Sequence, residues 1–291
     1  MIINLRSVRD DFEKVFISTL SIVSGIIIAY LSILGPLFLN KILYKTSRAA
    51  LYQMQAQDLT NLIFISPILI LAGILLLLEK SVYKHLLILS PISTIYYALS
   101  YTLGMEWSSP IYTGNSEKFF YYFLFLIVSS LIIMFYAISR FDENINFKLN
   151  KKFLVIYSII FILACLAFAS MWMKEVNQVI NIGTTTSYNE TPTLFWVIRC
   201  FDLGFTIPLG FISLYLLWTR PSQSLAIQLL FYGFFLTTGI AVNAMGFFMY
   251  INDDPAFSSG TMVVFLILLA VICSGYIYIL KNYKQRNVKR S

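Results

Sequence analysis

Residues 194–210 read LFWVIRCFDLGFTIPLG, which places Arg199 and Asp202 three positions apart in a stretch otherwise apolar enough to cross a bilayer. The question is whether this is a polar loop or a membrane helix with a charged interior face. Its surroundings decide. Thr191-Pro192 just upstream reads as an N-cap followed by proline at the first helical position, and the apolar run continues to Thr219.

The same pattern recurs along the whole chain of 291 residues. Charged residues make up only 12%, against about 25% in soluble domains, and mean hydropathy is +0.77. The charges fall in clusters separated by intervals that meet the roughly 20 apolar residues a span requires. Eight spans follow, at approximately 15–40, 58–79, 84–105, 118–139, 152–173, 192–219, 222–250 and 257–280, with a basic tail at 281–291. Apolar segments of this length are helices, because hydrocarbon leaves backbone groups no other partner. The expected fold is therefore an all-α, polytopic membrane bundle forming one integral membrane domain over residues 1–291. The first apolar run is too long for a signal peptide and lacks a small-residue cleavage site, so it is counted as a span. No polar interval is long enough to bury a core of its own.

Orientation follows from lysine and arginine. With the N-terminus inside, the inner segments hold fifteen, while the outer ones hold five: Lys41, Lys45, Arg48, Lys118 and Lys174. Both termini are expected to be cytoplasmic and the chain to sit in the cell membrane as a multi-pass protein. The net charge of +7 is then mainly a topology signal. The tail with Lys281, Lys284, Arg286, Lys289 and Arg290 is placed to touch anionic lipid. Nucleic acid is not expected as a partner. Trp107, Trp172, Trp196 and Trp218 fall at span ends, as interfacial anchors do.

Depth makes Arg199 and Asp202 informative. At 1.5 Å per residue they lie about 9 Å and about 14 Å along the sixth span. A charge at such depth costs roughly 2.5–3.5 kcal/mol on insertion scales, so both are expected to face the bundle interior and to pair. Asp58, at the outer mouth of the second span, is the expected partner of Arg199. Two carboxylates and one guanidinium leave one carboxylate free to take a proton, a cation or a cationic ligand. Gln53, Gln57 and Asn61 share one helical face beside Asp58, and Asn243 on the seventh span lies at the depth of Asp202. The candidate site is thus Asp202, Arg199, Asp58, Gln57, Asn61 and Asn243, with Pro67, Pro91 and Pro208 freeing backbone carbonyls nearby. The competing reading is a buried pair that only fixes helix register.

The second and sixth spans both show Asp-Leu followed by proline, "QDLTNLIFISPIL" against "FDLGFTIPLGF". The spacings differ, nine residues against six, and the flanking spans show no likeness, so coincidence is the simpler reading. Glu106 in the loop at 104–118 reads as surface decoration.

Absences exclude several chemistries. The single histidine, His85, rules out HExxH and bis-histidine haem sites, and no P-loop occurs. Cys165, Cys200 and Cys273 all lie within spans and suggest no disulfide framework. No catalytic or metal set is complete, and the sequence points to no cofactor. The function expected is binding or transport of a small solute or ion at a polar intramembrane site open to the outside. The alternatives are a membrane-embedded enzyme acting on a lipid or lipid-linked substrate, and a non-catalytic subunit or sensor.

Overall fold

A computed structural model of the chain describes residues 5–141, 145–147, 150–255 and 257–285, and the side chains of residues 11–141, 150–255 and 257–283. Seven of its helical stretches are long and apolar enough to cross a membrane: Asp11–Leu34, Arg48–Leu77, Ser116–Ser139, Lys151–Ile182, Pro192–Thr219, Pro221–Ile251 and Ser259–Asn282. Apart from a three-residue antiparallel pairing of β1 (Ile145–Phe147) with β2 (Tyr283–Gln285), the regular structure among the described residues is helical.

Helix α1 (Leu5–Leu34) stops at Gly35-Pro36, short of the expected end at residue 40, because a residue before proline is pushed out of the helical region. Helix α2 (Arg48–Thr60) begins well outside the apolar stretch, capped by Ser47 on Ala50 N–H at 3.2 Å. A single π turn, Asn61–Ile65, joins it to α3 (Ser66–Leu77). Helix α3 packs antiparallel on α1 through small residues. A Cβ on Gly25 would lie 2.7 Å from Ile70, and one on Gly73 would lie 2.7 Å from Ile22. Such close backbone approach is how membrane helices gain dispersion contacts without a hydrophobic drive between them.

The expected third span, 84–105, is the exception to the long-helix pattern. It is two short helices, α4 (Tyr83–Leu87) and α5 (Pro91–Ser100), broken where Pro91 withholds its N–H. The segment nonetheless crosses the height of the bundle. At its start Glu79 bonds Lys14 near the beginning of α1 at 2.7 Å. At its finish Glu106 reaches Lys45, beyond the end of α1, through a backbone bond of 3.0 Å.

Helix α6 (Phe120–Ser139) follows. Helix α7 (Lys151–Ile182) runs nine residues beyond the expected end at 173. No glycine or proline interrupts it before Gly183, which closes it at φ +81° with its N–H on Val179 O. After the short α8 (Thr186–Glu190), the sixth span is α9 (Pro192–Phe201), a second π turn (Asp202–Thr206) and α10 (Ile207–Thr219). Helices α11 (Pro221–Ile251) and α12 (Ser259–Asn282) complete the bundle.

One end of the bundle gathers the start of α1, the end of α6 and the end of α12. Glu13 bonds Arg140 at 2.6 Å, and Tyr283 donates to Pro221 O at 2.9 Å. We term this the basal end and the opposite one distal. The lipid-contacting tail expected at 281–291 falls, beyond Gln285, outside the described residues.

Candidate functional site

The two π turns have one physical cause. A proline within a helix lacks the N–H for its own turn, and its ring crowds the carbonyl four residues back. Here Pro67 follows Asn61 by six residues and Pro208 follows Asp202 by six. Each helix relieves the crowding by slipping one residue, so that Ser66 N–H reaches Asn61 O and Ile207 N–H reaches Asp202 O. The structural correspondence between the two spans therefore sets Asn61 against Asp202 and Asp58 against Arg199. Aligning the two Asp-Leu pairs, as the letters invite, misses it by three residues.

Asp202 opens the second π turn and is 4% exposed. Its Oδ2 accepts the indole N–H of Trp172 on α7 at 2.9 Å, and its Oδ1 accepts the Thr206 hydroxyl at 3.4 Å. Arg199 is 6% exposed but does not pair with Asp58 or with Asp202. Its Nη2 bonds Glu175 Oε2, and its guanidinium lies 4.3 Å from the Trp172 ring centre and 4.0 Å from that of Phe195. The Asp58–Arg199 pair expected from the sequence is thereby corrected. The extra turns of α7 carry Glu175 to Arg199 first, and the aromatic rings solvate what remains of the cation.

Trp172 and Glu175 are the two site residues that the sequence reading missed. Trp172 turns inward instead of anchoring at an interface. The available signal was their i, i+3 spacing, which puts both on one face of α7 if the helix continues past residue 173.

Asp58 stands apart from both. It is wholly buried, its Oδ2 accepts Leu37 N–H at 3.3 Å, and no cation among the described residues forms an ion pair with it. Gln57 Nε2 donates to Asn61 Oδ1 at 2.7 Å, the i, i+4 contact that their shared face implies. Asn243 donates to Gly239 O at 2.7 Å and to Phe265 O on α12 at 3.3 Å, leaving its own Oδ1 without a partner.

A cavity of about 950 Å³ brings these groups together. Asp202, Gln53, Gln57, Asn61 and Asn243 line it, whereas Asp58 and Arg199 lie behind its wall. It extends from Gln53 and Met249 toward the distal end to Tyr157 and Tyr278 toward the basal end, whose rings stack at 5.4 Å between α7 and α12. Much of the wall is aromatic, including Tyr96, Tyr97, Phe168, Trp172 and Phe234. Among the described residues Asp202 is the only charged side chain lining it; no lysine, arginine or histidine does.

Glu106 is also corrected. It is 8% exposed, and its two carboxylate oxygens accept Thr193 N–H at 2.7 Å and the Thr193 hydroxyl at 2.8 Å. Thr191 was expected to cap α9 but makes no such bond with its side chain. Glu106 caps the helix from another segment, and a carboxylate there also meets the positive end of the helix dipole.

Seven apolar helices of spanning length around buried polar groups define a multi-pass helical membrane protein. Comparison with protein-family models, with curated proteins and with solved structures gives no match. Among the described residues no group of three or more histidine, cysteine, aspartate or glutamate side chains is arranged to hold a metal.

Proposed function

We propose that the chain crosses the cell membrane eight times, with both termini cytoplasmic, and binds a small amphiphilic solute bearing a cationic group for transport. The observation that carries this reading is the wall of the cavity, where Asp202 is the lone charge among aromatic and neutral polar side chains. A carboxylate in such a place favours a positive ligand, and ring faces add cation–π attraction worth about 2 kcal/mol or more when desolvated. The apolar remainder of the wall suits the rest of an amphiphile, and the volume lies within the usual range for small-molecule sites. A π turn at the carboxylate fits too, since such turns frequently mark functional sites.

The eighth crossing is the 84–105 segment, which joins the basal to the distal end in two short helices. The start of α1 and the end of α12 share the basal end with Arg140, and with eight crossings the lysine and arginine bias supports a cytoplasmic basal end. In this reading solute enters from the distal, outer side, the end of the cavity lined by Gln53 and Met249. Arg199, held by Glu175 and two rings, balances charge near Asp202 without entering the cavity.

The test is equilibrium binding of radiolabelled tetraphenylphosphonium, a lipophilic cation, to purified protein. Binding should saturate in the wild type and weaken about tenfold or more in Asp202→Asn, equivalent to about 1.4 kcal/mol. Equal binding by both proteins would refute the assignment.

A further inference from the structure

Asp58 differs from Asp202 and Glu175, the two acids beside Arg199. Asp202 has an indole and a hydroxyl, and Glu175 has Arg199. Asp58 has a single backbone N–H on Oδ2, while Oδ1 is buried with no hydrogen-bond partner. Nearby charge makes matters worse. Asp58 faces the turn that ends α1 through the Leu37 N–H, and there Gly35, Leu39, Lys41 and Ile42 donate to the last carbonyls of the helix. A helix of 30 residues presents about half a negative charge at that end. Lys45, in the segment that follows this turn, is engaged by Glu117 at 2.5 Å and Trp107 O at 3.1 Å.

The polar groups in the neighbourhood of Asp58 are tyrosine hydroxyls. The phenols of Tyr44, Tyr97 and Tyr101 all lie within electrostatic reach of its carboxylate. The three residues are 4–5% exposed, and none of the three hydroxyls has a hydrogen-bond partner. The hydroxyl of Tyr97 is close to that of Tyr44 and to the Asn61 amide, but outside hydrogen-bond geometry with either. Packing holds the rings, with Tyr97 and Tyr101 centred 4.4 Å apart and Tyr44 edge-on to Tyr101 at 5.1 Å. Three neighbouring phenols and a carboxylate oxygen without partners are rare in a folded interior, because each forfeits a hydrogen bond made in water. Hard cations without strong geometric demands take such oxygens as ligands. One carboxylate matches one positive charge, which favours a monovalent ion over a divalent one.

We propose that Asp58, with the phenol oxygens of Tyr44, Tyr97 and Tyr101, binds a monovalent alkali cation. The site is distinct from the cavity around Asp202. It touches that cavity through Gln57, Asn61, Tyr97 and Tyr101, which line the wall on one side and adjoin Asp58 on the other. Cation binding at Asp58 would thus order the wall that meets the solute.

The experiment is thermal unfolding of purified protein in sodium, potassium or lithium chloride, each titrated against choline chloride at constant ionic strength. At least one alkali cation should raise the midpoint saturably, by about 2 °C or more. Asp58→Asn should abolish the rise. Tyr101→Phe removes one oxygen while keeping the ring, so it should fold normally and need several-fold more salt for the half-maximal shift. Asp202→Asn should keep the shift whether or not it binds tetraphenylphosphonium. A wild type indifferent to the alkali ion would overturn the proposal. So would a shift that survives in both Asp58→Asn and Tyr101→Phe, or one lost in Asp202→Asn instead.

Discussion

The indole N–H of Trp172 on α7 is bonded to the Asp202 carboxylate on the sixth span at 2.9 Å, while the same ring lies 4.3 Å from the guanidinium carbon of Arg199. One side chain thus touches both charges that residues 194–210 bring into the bundle. It orients the acid toward the cavity and separates it from the base. Trp172→Phe keeps a ring under Arg199 but removes the donor. Interhelical hydrogen bonds in membranes average about 0.6 kcal/mol and reach about 1.7, so a loss in that range is expected, read as a lowered unfolding midpoint in detergent.

Arg199 and Glu175 should behave as a coupled pair. In a double-mutant cycle with Arg199→Leu and Glu175→Leu, the interaction energy should fall at about 0.5–3 kcal/mol. The corresponding cycle for Arg199 and Asp202 should be closer to additive, because those two side chains form no ion pair. The reverse ranking would mean that the cation is shared with Asp202 after all.

Glu106→Ala removes the cap on α9 supplied from the loop. The expected cost is about 0.5–2 kcal/mol, the usual effect of deleting an N-cap. Glu106→Gln retains an acceptor and should lose less, and equal losses would argue against a capping role.

Gly35 lies directly against Asp58, where an added Cβ would overlap the carboxylate. Gly35→Ala should destabilise by about 1–3 kcal/mol through overpacking. Combining it with Asp58→Ala should recover part of that loss. A Gly35→Ala protein as stable as the wild type would show that the turn after α1 can move away.

Much of this architecture is legible in the sequence. Hydropathy alone locates the apolar helices, since a bilayer makes few demands beyond length and apolarity. Helix ends are read less well, because capping chemistry rather than hydropathy sets them. Gly35-Pro36 shortens the first helix, and the run from Lys174 to Ile182 continues α7 until Gly183 stops it. That second extension hid the partner of Arg199. The face of Gln53, Gln57 and Asn61 was predictable from i, i+4 spacing. Whether Asp58 reaches Arg199 was not, since pairing across helices depends on packing that no local pattern encodes. The slip caused by Pro67 and Pro208 likewise becomes visible only once both helices are built, and it sets Asn61 rather than Asp58 opposite Asp202.

The central claim is that Asp202 makes the cavity selective for positive charge. Trp172 in the cavity wall supplies the readout, in a variant with Trp107, Trp196 and Trp218 replaced by phenylalanine. Its fluorescence would be titrated with an alkyl quaternary ammonium compound and with the neutral isostere in which carbon replaces nitrogen. The account predicts a saturable change with the cation, at least about tenfold weaker with the isostere, and the same loss when Asp202→Asn meets the cation. Matching curves for cation and isostere, or for the two proteins, would contradict it.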